Sequence, residues 1–397
     1  MRFAVNHRNH AGALVWQFDN LADLKWRYQE GTQGPGSISY SVAGSDPGIG
    51  LFANPGVRDP FAPKRTDWEL VVDDSTGVYP LMSGPVWTTN FPFSGDVVNV
   101  TGLDWLAGLY QPYLGFDYDS PVNTILAQLQ AGAFGIHWKA STVEAIVRDL
   151  LDVVDPANEI VLNLWTTGSP GLSDGAVWAE VTDFNLKRSD GTTKLSALTQ
   201  MAQMGRPLGF DFWVDPDKNL HMQGPRAVNP AALDSIYALR EGNILDGNWT
   251  NNGPLATDVI AVSGGGGSNA KCYRRAQPYL PSIAEYRRWT EFVEADPRYN
   301  PNMSDQAQVN AAAESLAQLY RNPQKELSLK VNPNVVDPVT GTNLIYNHVC
   351  QPVDVYWTHP SGFHRVDAFF WLTAQEFELG DSGEVSCSLT LDQIYPL

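Results

Sequence analysis

Cysteine is scarce in this chain: three residues, Cys272, Cys350 and Cys387, far apart and odd in number. They make neither a disulfide framework nor a CxxC metal pair, so structural free thiols are expected. Basic residues are also few, 26 Lys and Arg against 44 Asp and Glu, for a formal charge of −18. A surface that grips nucleic acid needs clustered Lys and Arg, so that class is excluded. The basic doublets Arg274-Arg275 and Arg287-Arg288 read as a solvated face or a subunit contact. No run approaches the ~20 apolar residues of a membrane span. The segment Met1 to Phe18 has no apolar core or cleavage site of the secretory kind, so folding in a cytoplasm is expected. The N-x-[ST] matches at Asn99, Asn248 and Asn302 then count as chance. Catalytic signatures are missing too, with no HExxH and no Gly-x-Ser-x-Gly elbow.

What the chain does have is turn and strand chemistry. Its 34 glycines, 27 prolines and 13 tryptophans, within 43% hydrophobic content, describe a globular protein of many short strands. At 397 residues it has room for two or three domains.

Residues 1–115 read as all-β. Strands are predicted at 13–18, 24–28, 37–42 and 68–72, separated by Gly, Pro and Asp punctuation, a spacing that suits a sandwich or small barrel. The stretch Val78–Tyr110 closes this region. Val78, Pro80, Met82, Val86, Thr88 and Asn90 share alternate positions, and Val97 to Thr101 is a β-branched run that suits a buried strand. Gly102-Leu103-Asp104 turns the chain, and Asp104 is placed to cap a segment presenting Leu106 and Leu109.

Residues 116–206 change character to α/β. Helices are predicted from Ser120-Pro121, from a Ser141-Thr142-Val143-Glu144 capping box, and across Leu195 to Ala202, with extended runs at 160–165 and 178–184. Residues 210–214 and 220–223 flank Asp215-Pro216-Asp217-Lys218-Asn219, a hairpin with strong turn chemistry. Residues 246–397 return to β, with one helical excursion at 282–323. The expected class is mainly β with an α/β insertion, α+β overall.

Several groups invite a chemical reading. The glycines 264–267 are followed by neither Lys-Ser/Thr nor a helix pattern and read as a hairpin tip. His348, His359 and His364 lie around a Pro-Ser-Gly turn, short of the ligand set zinc needs. Asp73-Asp74, Asp117/Asp119 and Glu376/Glu378 are carboxylate pairs of the kind glycoside hydrolysis uses, but a chain this acidic produces such pairs by composition. Trp165, Trp178, Trp213 and Trp371 sit in strand-like runs, where core packing is the default. No catalytic, cofactor-binding or metal-binding residue is assigned.

The ordered set of segments resembles the tail hub, or baseplate hub, minor tail proteins of long-tailed siphophage-type bacteriophages. The resemblance lies in Leu24–Tyr28 with Gly34–Tyr40, in Ser83–Val86, in the V-x-V-T-G-x-D-W-L run from Val98, in Ser141–Leu151, and in Leu195–Met204 with the Phe210–Met222 hairpin. It implies two tail-tube-like β-barrels. One spans 1–115 and is completed by 207–245, with 116–206 as an inserted α/β domain; the other spans 246–397. It also implies a homotrimeric ring in the virion tail tip, assembled in the host cytoplasm, joining the sixfold tail to threefold tip components. Its partners would be a distal tail protein ring, the tape-measure protein and tail fibre or receptor-binding proteins, with DNA passing through unbound. The rival is a carbohydrate-binding or glycan-cleaving tail or cell-surface protein, which would need a Trp-lined cleft with two facing carboxylates.

Overall fold

The computed structural model describes residues 1–9, 11–50, 63–92, 96–111, 135–152, 162–166, 181–187, 193–202, 210–223, 237–252, 258–263, 272–274, 284, 287–295, 324–336, 341–346, 348–358, 362, 365–380 and 382–393. The helix expected at 120–129, the glycine run 264–267, Asp117, Asp119, Trp178, His359 and His364 lie outside them, as does most of the helical excursion expected at 282–323, whose described part instead holds a strand, Thr290–Ala295.

The N-terminal strands are β1 (Arg2–Asn9), β2 (Leu14–Phe18), β3 (Leu21–Gln29), β4 (Ser37–Ala43), β5 (Thr66–Asp73), β6 (Val78–Asn90) and β7 (Val97–Leu103). The middle of the chain carries β8 (Gly135–Thr142), β9 (Asn163–Thr166), β10 (Val181–Lys187), β11 (Asp211–Val214) and β12 (Asn219–Gln223), with helices Val143–Asp152 and Lys194–Ala202. The C-terminal strands are β13 (Tyr237–Leu239), β14 (Ile244–Asn252), β15 (Asp258–Ser263), β16 (Cys272–Arg274), β17 (Thr290–Ala295), β18 (Gln324–Val331), β19 (Gln351–Thr358), β20 (Arg365–Leu379) and β21 (Val385–Gln393).

The two ends of the chain belong to one sheet. Its path runs β14-β18-β21-β20-β3-β4-β7-β6-β5-β1-β2, with β19 and β13 branching from β20. Among the described residues this path stays open, so the expected pair of closed barrels is corrected to one continuous sheet, mainly antiparallel. Two long strands explain why. The thirteen-residue β6 pairs with β5 up to Pro85 and with β7 from Val86. The fifteen-residue β20 pairs with β19 over its first half and with β3 over Ala374–Glu378. Each hands its hydrogen bonds from one neighbour to the next, so the halves zip together.

The seam between β3 and β20 shows how the alternation predicted at 24–28 works. Trp26 lies opposite Phe377, and both are buried, their rings stacked with 5.1 Å between centroids and 13° between planes. Phe3 adds a tilted contact to Trp26 at 5.3 Å. On the other face Lys25 and Glu378 pair at 2.8 Å and Arg27 and Glu376 at 3.5 Å, all four half exposed. The Glu376/Glu378 pair is therefore an outer-face charge ladder. One apolar cluster runs under both halves, from Phe3 and Val5 to Leu389 and Leu391.

A second cluster joins Trp105, Leu106 and Leu109 to Ile146 and Leu150 of the first helix, Leu198 and Met201 of the second, and Phe212, Leu220 and Met222 of the hairpin. The β11–β12 hairpin pairs with β9, and β13 pairs with β19. Residues 207–245 thus contribute their described strands to the middle unit and the C-terminal sheet, not to the strands of 1–115. The first helix begins one residue later than the predicted capping box: Thr142 Oγ1 accepts from Ala145 N at 3.2 Å, and Glu144 pairs with Arg148 instead.

Strand β1 was not expected. Its signal is the alternation of Phe3, Val5 and His7, all buried, cut short by the chain start. His7 earns its interior place through a hydrogen bond to the Tyr40 hydroxyl.

Two stability outcomes follow from this packing. Trp26→Ala should cost about 3–5 kcal/mol and reduce amide-exchange protection in β4 and β21 together. Glu376→Gln should leave the melting midpoint almost unmoved. Protection lost on one side alone would contradict a shared core. At Gly84 a Cβ would lie 1.9 Å from the Leu103 carbonyl oxygen and 2.7 Å from Asp104 Cα. Both are backbone atoms, so Gly84→Ala should destabilise by about 3 kcal/mol or more in urea unfolding.

Candidate functional site

The Asp215–Lys218 turn is built as its residue types dictate. Asp215 Oδ1 accepts from Asp217 N and Asn219 N, each at 2.9 Å, and Lys218 takes the left-handed conformation, φ +66°. Asp215 Oδ2 then receives Asn219 Nδ2 at 2.8 Å and contacts His221 Nε2 at 2.9 Å. Burial works against ionisation here, but the bonds from His221 and Asn219 win and hold Asp215 below the usual carboxylate range.

Register places Trp213 opposite His221, and the two rings stack at 5.0 Å and 6°. His348, arriving from the segment before β19, also stacks on Trp213, at 4.4 Å and 13°. Its Nδ1 donates to the Val349 carbonyl at 2.6 Å. The surrounding protein lowers the pKa of His348 despite its open outer side, against the bond to Val349 and with help from nearby His221, which favours the neutral ring. Beneath the stack, Trp213 joins Val349, Cys350 and fully buried Trp371 in a small apolar cluster.

The hairpin tip is clamped from the opposite side. Ser83 Oγ donates to Pro216 O at 2.7 Å, Trp105 Nε1 reaches Ser83 Oγ at 2.6 Å, and Lys218 Nζ sits 4.1 Å over the Trp105 ring. Three parts of the chain therefore meet at one cleft of about 430 Å³. Its walls include Tyr28, Tyr79 and Asp104 from the N-terminal sheet, Trp213, Asp215 and His221 from the hairpin, and Tyr346 and His348 from the C-terminal part.

Asp104 caps the short 3₁₀ helix Trp105–Tyr110 as expected, Oδ1 accepting from Leu106 N at 2.9 Å. It does a second thing the sequence did not reveal. Its Oδ2 accepts from Gly36 N at 2.7 Å, across 68 residues, pinning the start of β4 to the end of β7. Gly36 is required by this close approach, since a Cβ there would meet Asp104 Oδ2 at 2.8 Å and Met82 Cε at 2.4 Å. Burial pushes the Asp104 carboxyl up to about 7, opposed by these two backbone donors.

The other groups flagged in the sequence fall elsewhere. Asp74 closes the β5–β6 turn through Thr76 and receives the Tyr346 hydroxyl, which holds its carboxyl down at about 2. Arg288 lies 3.9 Å from buried Asp258. Cys350 and Cys387 are both buried. No cluster of three or more metal-ligating side chains occurs among the described residues. Trp213 is buried against two stacked imidazoles and Trp371 is fully buried, so neither offers a platform for a sugar ring. The cleft itself was hidden from sequence, since its walls come from positions over 300 residues apart; His348 and the hairpin were noticed, their stacking was not.

The Asp104 shift has a signed consequence. The native state holds this proton more tightly than the unfolded chain, whose carboxyl titrates near ~3.9. Its contribution is full below about pH 4 and is lost as pH rises towards about 7. Asp104→Asn has no proton to lose, so its stability relative to the wild type should rise across that window by up to about 1.4 kcal/mol per pH unit. Urea unfolding at pH 5 and pH 7 measures this; parallel behaviour of the two proteins would refute it.

No protein-family profile matches the chain, and no curated protein sequence does. Solved structures match along its length. The tail protein from Neisseria meningitidis MC58 aligns at TM-score 0.60 and 15% identity, covering 99% of this chain and 97% of that one. The 43 kDa tail protein of prophage MuSo2 from Shewanella oneidensis aligns at 0.57 and 12%, covering 98% of each. Prophage tail protein gp18 from Listeria monocytogenes EGD-e aligns at 0.55 and 11%, covering 98% of this chain and 94% of that one. At such identities the likeness is one of fold: from end to end, this chain has the fold of phage tail proteins.

Proposed function

We propose that the chain is a structural component of a bacteriophage tail, and within it the hub of the tail tip. The observation that carries the reading is the mutual coverage: tail proteins of nearly the same extent match almost the whole chain, with no region left over. The site chemistry agrees with a non-enzymatic role. Asp104 and Asp215, the carboxylates lining the cleft, are each held by local hydrogen bonds, and Trp213 and Trp371 are buried. In the proposed assembly three copies form a ring between the sixfold tail tube and threefold tip components. The two sheet halves act as tube-like units and the middle unit as decoration. A distal tail ring, the tape-measure protein and fibres would be its neighbours. The net charge of −18 suits a conduit along which DNA slides without sticking.

Native mass measurement with negative-stain imaging tests this. The expected result is a particle of three 43.7 kDa chains with a central opening. A species that stays monomeric at high concentration, and also when mixed with the distal tail protein of the same phage, would overturn the hub reading.

A further inference from the structure

The cleft described above has an unbalanced lining. Among the described residues it presents Asp104, Asp215 and the rings of Tyr28, Tyr79, Tyr346 and His348, and no Lys or Arg. The tyrosine hydroxyls are engaged: Tyr28 donates to Leu81 O at 2.9 Å, Tyr346 to Asp74, and Tyr79 shares a 3.0 Å bond with Thr76. What these residues offer to the cleft is therefore ring surface, whose negative π face attracts cations. With Nδ1 donating to Val349 O, neutral His348 carries its lone pair on Nε2, a further acceptor. Among the described residues Asp104 has two backbone donors and no cationic partner. In a chain of net charge −18, this is a buried carboxylate that lacks a counter-ion at a cleft open to one.

We propose that the cleft receives the guanidinium of an arginine side chain from a partner protein. Guanidinium fits better than ammonium because it is planar, stacks on ring faces and donates to several acceptors at once. That the partner is a neighbouring tail component rests on the reading above; the cation chemistry does not. The groups facing the bound cation set its pH dependence. Asp104, its carboxyl pushed up to about 7, attracts it once ionised; Asp215, held below the usual carboxylate range, attracts it throughout; His348, held towards its neutral form, lines the site with His221, Tyr28, Tyr79 and Tyr346. Ionisation of Asp104 therefore strengthens binding as pH rises from 6 to 8.

The test titrates N-acetyl-arginine amide into the isolated full chain and follows ¹³C-labelled histidine ring signals, with N-acetyl-norleucine amide and N-acetyl-glutamate amide as controls. The expected result is saturable shifts of the His221 and His348 signals with arginine only, at least fivefold weaker at pH 6 than at pH 8. Asp215→Asn should weaken binding at least tenfold. Because Asp215 also builds a turn, Tyr79→Leu serves as a second variant, expected to lose at least threefold while melting as the wild type does. Saturable binding weakened in either folded variant supports the proposal. A linear response, an equal response to norleucine, or wild-type affinity in both variants overturns it. Failure to trimerise leaves this titration unaffected, whereas a trimer that binds no arginine would remove this inference alone.

Discussion

The structure depends on the pairing of β3 with β20. These strands lie some 350 positions apart in the chain, and closing so long a loop has an entropic cost that grows slowly with length. The seam offsets it with three coordinated terms. The ladder hydrogen bonds satisfy backbone groups that would otherwise sit at two open edges. Trp26 on Phe377 buries two large aromatic rings in stacked geometry. The Lys25–Glu378 and Arg27–Glu376 pairs add little energy, being half exposed, but they disfavour a one-residue slip, which would bring these charges into the core. Once the seam forms, the apolar cluster is continuous from Phe3 to Leu391 and the N- and C-terminal halves are one body.

That constraint positions everything else. The middle unit is held by its hairpin, whose tip bonds to Ser83 on the N-terminal side and whose Trp213 is covered by His348 from the C-terminal side. Asp104 locks β4 to β7 just beneath it. The cleft is the remaining space where these three parts meet. Its chemistry is a product of the architecture: short turns and strand ends converge there, bringing polar and aromatic side chains together.

Local structure was legible wherever residue types act over a few positions. Alternation gave most of the strands, as in Leu327, Leu329 and Val331 of β18, which are buried between exposed Glu326, Ser328 and Lys330. Asp104 as a cap and Asp215 as a turn former followed from side-chain chemistry alone. What sequence could not supply was the choice of partner strand. Trp26 and Phe377 each announce a buried strand face, yet nothing in either segment says that they face one another, and so the halves were expected to close separately. The same gap hid the cleft, whose stack needs the 213–221 register and the arrival of His348 at once. Corrections such as Thr142 in place of Ser141 at the helix start are smaller and local: the hydroxyl one residue on was the one in reach of a free N–H.

The central claim is that this shape serves as a structural piece of a phage tail tip. Cryo-electron microscopy of intact particles of the phage that encodes it, with the chain traced in the tail-tip density, tests that most directly. The account predicts three copies around the tail axis, each with its β3–β20 sheet continuous. Absence of the chain from the particle, or its repetition in sixfold rings along the tail tube, would contradict it.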